Sequence, residues 1–71
     1  MPKVVFIRQG HNQEIQVQIW HMHDKEAEVQ RAYLKKEEGR EVLKTVDVTE
    51  EEAVAFSVEF LFFKYGKEFI T

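Results

Sequence analysis

The chain has 71 residues, no cysteine and a formal net charge of −3. These values leave room for one domain, residues 1–71, exclude disulfide staples and thiolate metal sites, and give no broad positive field for nucleic acid or a membrane surface. Hydrophobic residues at 44% and charged residues at 32% make a globular balance, and so small a domain buries only about 60% of its unfolded surface, which leaves oligomerisation as the open route to further stability.

Residues 3–8, KVVFIR, form a β-branched and aromatic run that predicts a strand. Gly10, His11 and Asn12 predict a turn. Residues 14–23 then alternate, with Ile15, Val17 and Ile19 on one face and Gln16, Gln18 and Trp20 on the other. Together they predict a hairpin whose second strand is half-buried.

Residues 24–38, DKEAEVQRAYLKKEE, admit two readings. Good helix formers, a capping Asp24 and a stopping Gly39 predict a helix. Its apolar residues fit a helix poorly, since Val29, Ala32 and Tyr33 share a face that Leu34 does not. The leading expectation is therefore a second hairpin, turning at residues 36–40 through a glycine bulge. Residues 40–48 predict a strand with Val42, Val46 and Val48 on one face.

Thr49-Glu50-Glu51-Glu52 is a capping-box pattern that opens a helix over residues 49–65, stopped by Gly66. At about 100° per residue this helix carries two apolar stripes. Ala53, Phe56, Phe60 and Phe63 form one; Val54, Val58, Leu61, Phe62 and Tyr65 form the other. A helix apolar on both sides needs cover on both. The expectation is that one stripe meets the sheet and the other, Val54, Val58, Leu61, Phe62 and Tyr65, meets a second copy across a two-fold axis. The tail, with Phe69 and Ile70, packs back or across to a partner.

The fold expected is a small α+β domain, an antiparallel β-β-β-β-α meander, with β-β-α-β-α as the alternative. In order of elements such a meander resembles the transcriptional-coactivator and Whirly-type single-stranded-DNA binders, and TVDVTEEEAVAF looks like their strand-to-capped-helix junction. That resemblance implies dimerisation through helices and curved sheets that grip DNA. It covers the order of elements and no binding motif.

No spacing here belongs to a catalytic site. Ser57 is the only serine and has no glycine-rich elbow, and the three glutamates at 50–52 read as helix capping. His21 and His23, spaced to share a strand face with Asp24 or His11 nearby, make a metal-dependent enzyme the remote alternative. Trp20, Arg31, Tyr33, Lys35 and Lys44 would share an open sheet face under the meander and could stack unpaired bases. No cofactor is expected. The leading function is a non-enzymatic, homodimeric interaction or regulatory module with a protein partner, and single-stranded nucleic-acid binding is the alternative. No apolar run approaches the ~20 residues of a membrane span, and MPKVVFIRQG lacks the features of a signal peptide, so the expected location is the cytoplasm.

Overall fold

The computed structural model describes residues 1–9 and 14–70. The turn expected at Gly10, His11 and Asn12 lies outside them. Three strands, β1 (Lys3–Gln9), β2 (Ile15–Trp20) and β3 (Arg40–Asp47), form one antiparallel sheet in the order β2-β1-β3. Helix α1 (Asp24–Glu38) connects β2 to β3, and α2 (Glu50–Ala55), α3 (Val58–Tyr65) and a 3₁₀ turn (Lys67–Phe69) follow. The protein is thus mixed α+β, with its helices on both faces of the sheet.

The central strand explains the layering. Val4, Val5, Phe6 and Ile7 are all buried, although neighbours on a strand point to opposite faces. Val5 and Ile7 join Trp20, Ala27, Leu34 and Val42 beneath α1. Val4 and Phe6 join Val48, Ala53 and Leu61 beneath α2 and α3, flanked by Ile15, Val17 and Ile19 of β2. An uninterrupted apolar run is the signature of a strand covered on both sides, and Val4, Val5, Phe6 and Ile7 make one.

The four-stranded meander is corrected here, and with it the likeness to the single-stranded-DNA binders. Residues 24–38 are helical, as in the β-β-α-β-α alternative. The stripe of α1 that meets the sheet is narrow: Ala27 and Leu34, seven residues apart, are its buried positions, while Val29 and Tyr33 face solvent. Asp24 and Glu26 in the first turn and Lys35 and Lys36 in the last complement the helix dipole. Gly39 takes φ 64°, and its N–H donates to the Leu34 carbonyl.

The two flanking strands also differ from expectation in detail. Strand β2 alternates as its sequence predicts but ends at Trp20, so His21 and His23 lie between it and α1 and do not share a strand face. In β3 the register slips: Phe6 pairs with Lys44 and Ile7 with Val42, which leaves Leu43 as an extra, bulged residue. The bulge sends Val42 beneath α1 and Val46 to the opposite face, so the three valines do not share a side.

The C-terminal helix is broken. Thr49 caps as expected, its Oγ1 accepting from the Glu52 N–H at 3.0 Å, but Phe56 and Ser57 have extended backbones. Ser57 then caps α3, its Oγ accepting from the Phe60 N–H at 3.2 Å. Two non-helical residues reset the helical phase, so Ala53 is buried while Phe60 and Phe63 of its stripe are exposed, and Val54 is exposed while Leu61 of its stripe is buried.

Candidate functional surface

The break decides which side chains remain uncovered. In α2, Ala53 is buried against the sheet and Val54 points away, 79% exposed. In α3 the roles reverse. Leu61 is fully buried, and Phe62 and Tyr65 are half-buried over the same core. Phe62 meets the Phe6 ring edge-on at 5.6 Å between centroids. Leu61, Phe62 and Tyr65 therefore face their own sheet, whereas Val54 and Val58, from the same sequence stripe, face solvent.

What α3 presents outward is aromatic. Phe56, Phe60 and Phe63 are 38, 47 and 62% exposed, and Val58 is 41% exposed. Phe56 and Phe60 stack at 4.5 Å with 20° between their planes. Phe63 continues the surface one turn along, edge-on to Phe62 at 6.4 Å. Stacking two rings on each other removes part of their surface from water but leaves their outer faces wet. A contiguous patch of this kind on so small a protein is what interaction surfaces look like.

One polar cluster holds the patch in place. The Glu52 carboxylate of α2 accepts from Lys64 Nζ at 2.5 Å and from the Tyr65 hydroxyl, both on α3. Hydrogen bonding from Lys64 first, and from Tyr65 second, holds the Glu52 carboxyl below its ordinary range. The same bond to Glu52 raises Lys64 and, for Tyr65, pushes the phenol up. The Lys64 ammonium lies 5.7 Å from the centroid of Phe56 and 5.1 Å from that of Tyr65, within cation–π reach of both. One lysine thus joins the two short helices and borders the aromatic surface.

The five residues proposed as a base-stacking face do not converge. Trp20 is only 7% exposed, packed beneath α1, and its Nε1–H donates to Gln18 Oε1 at 2.9 Å. Arg31, Tyr33 and Lys35 lie on α1, where Arg31 and Lys35 line a shallow depression beside β3 together with Glu28 and Glu41. Lys44 projects from the other face of the sheet, donating to the Tyr65 carbonyl and to Glu68 Oε1, both at 2.6 Å. It caps the C-terminus of α3, where the helix dipole favours a cation. The tryptophan, the tyrosine and the cations are thus spread over a core, a helix face and a cap.

Elsewhere the charged side chains serve the fold. Lys3, buried on β1, donates to Asp24 of α1 and Asp47 of β3 at 2.6 Å each and so ties three elements together. Among the described residues no three His, Asp or Glu side chains form a group able to hold a metal, and no helix is long and apolar enough to cross a membrane. No protein-family model, curated protein or solved structure matches this chain.

The outward aromatic stripe was visible in the sequence as Phe56, Phe60 and Phe63. What sequence reasoning missed was the break that exposes it. Its signal is Ser57 followed by an acidic Glu59 in the first turn, a second capping pattern eight residues after Thr49.

Proposed function

We propose that this chain is a non-catalytic interaction module that self-associates through the aromatic outer face of α3 and the Phe56 that precedes it. The observation that carries the reading is the exposure of Phe56, Phe60 and Phe63 on the outer side of α3. Leaving three phenylalanine rings in water forgoes the largest favourable term open to so small a fold, and covering them on association recovers it. The residues that meet the mate are accordingly Phe56, Phe60 and Phe63. A pair built this way leaves β2 and β3 at the two rims of each sheet, where a protein partner would add a strand.

Sedimentation velocity over a range of concentrations tests this. The wild-type chain should shift from one protomer mass towards two as concentration rises. Phe63→Asp should remain a single protomer with an unchanged far-ultraviolet circular dichroism spectrum, since Phe63 faces solvent. Phe62→Asp is the wrong probe, because it places a charge against Phe6 in the core. A folded Phe63→Asp variant that associates as tightly as wild type would refute the reading.

A further inference from the structure

We infer that the second copy docks in parallel, α3 beside α3 about a two-fold axis running along the helices, with Glu59 of each copy facing Lys64 of the other. The inference rests on the self-association proposed above and specifies its geometry.

Helix α3 has a well-defined outer side. Leu61, Phe62 and Tyr65 turn towards the sheet, so at about 100° per residue Phe60 and Phe63 lie farthest from it, with Glu59 on one flank and Lys64 on the other. This is the spacing of a coiled-coil seam. Phe60 and Phe63 stand three residues apart in its two apolar positions, Glu59 directly precedes the first, and Lys64 directly follows the second. Phe56, in the extended segment before α3, stacks on Phe60 and widens the apolar surface at that end.

The flanking charges choose the orientation. When two such helices run parallel, the residue before the first seam position faces the residue five places later on the mate. Glu59 and Lys64 are five places apart and opposite in sign. When the helices run antiparallel, each flank faces its own copy, so Glu59 meets Glu59 and Lys64 meets Lys64, and like charges oppose association. Both side chains can take part. Glu59 pairs with no cation among the described residues. Lys64 is hydrogen-bonded to Glu52 and to the Tyr65 hydroxyl and, having three N–H groups, keeps one to donate.

The area available sets the strength of the pairing. With about 150–250 Å² for each full phenylalanine side chain, the exposed parts of Phe56, Phe60 and Phe63 amount to roughly 300 Å² per copy, or about 600 Å² for the pair. That is below the size of a stable specific interface, so the association is expected to be weak, reversible and concentration-dependent.

Glu59→Gln is the deciding variant because the two orientations predict opposite signs for it. Glu59 is exposed on the first turn of α3, so the change leaves the fold intact. In the parallel pair it removes two ion pairs and should weaken association about threefold to tenfold by sedimentation equilibrium at low salt. Tighter association of Glu59→Gln would mean antiparallel helices, and an unchanged constant would mean that these flanks do not meet. Either result overturns the inference while self-association stands. A wild-type chain that is a single protomer at every concentration overturns both, and so does a protomer that instead co-sediments with phosphatidylglycerol vesicles. The absence of cysteine allows a second readout. Phe63→Cys should form a disulfide-linked dimer under mild oxidation, and Glu59→Cys should not; preferential cross-linking of Glu59→Cys overturns the parallel arrangement.

Discussion

Gly66 shows how much of this fold depends on a missing side chain. A β-carbon built there would lie 2.5 Å from Cε1 of Phe6 and 2.9 Å from the Phe62 carbonyl oxygen. Phe6 is fully buried and meets Phe62 and Phe69 at 5.6 and 5.4 Å, so its ring has nowhere to retreat. Gly66→Ala should therefore cost about 1–3 kcal/mol, the usual penalty of overpacking. Urea denaturation should show a lower midpoint with an unchanged slope. Combining it with Phe6→Leu should cost less than the two single changes added together, because the smaller side chain vacates the space. The sequence marks Gly66 as a helix stop, which it is: its N–H donates to the Phe62 carbonyl at 2.8 Å. The tighter requirement comes from a ring sixty residues earlier, and no local pattern carries that information.

At the scale of elements, the sequence left one choice open and closed another too soon. Gly39 adopts the left-handed conformation at φ 64°, and both the helix stop and the bulged hairpin turn need a glycine in that conformation. It could not discriminate between them. The helix wins because residues 24–38 are mostly strong helix formers, and because Ala27 and Leu34 suffice to fill a narrow groove above Trp20, Val5 and Val42. Seeking a wide apolar stripe gave undue weight to Val29 and Tyr33, which are exposed. The single helix over residues 49–65 failed for a related reason: periodicity continues across a two-residue break that only the capping pattern of Ser57 and Glu59 announces. The Glu52 cluster holds the two pieces together, and its titration gives the break a measurable signature. Hydrogen bonds from Lys64 and then Tyr65 depress the folded-state pKa of Glu52, so its contribution is present above the unfolded value of about 4.3. That contribution is lost as pH falls through the lower folded value. Asp24, held down by Lys3, and Glu68, held down by Lys44, act in the same direction. In thermal melts between about pH 2 and 5, Glu52→Gln should thus show a lower melting temperature at the upper end and a shallower acid-induced fall, while retaining the share due to Asp24 and Glu68. An acid limb identical to wild type would mean that the cluster does not couple to folding.

For the whole molecule, one strand is asked to serve two cores. Strand β1 buries Val5 and Ile7 under α1 and Val4 and Phe6 under α2 and α3, and between them these layers use most of the chain. Nothing remains among the described residues to cover the outer side of α3. The surplus of apolar surface at the C-terminal end was legible in the sequence for this reason, since it follows from counting greasy faces against available elements. Which stripe would be the surplus one was not, because that depends on the phase reset at Phe56 and Ser57. If the surplus is covered by a second copy, folding and association are linked, and stability must rise with protein concentration. Each tenfold increase adds about 1.4 kcal/mol to the stability of the pair, shared over the unfolding entropy of two chains of this length, which corresponds to about 5 °C in melting temperature once the pair predominates. Phe63→Asp should melt at one temperature throughout the same series, because its protomer keeps both cores and loses only the outward face. Equal, concentration-independent melting of wild type and variant would mean that the rings of Phe56, Phe60 and Phe63 stay in water, and that a protomer this small is stable without covering them.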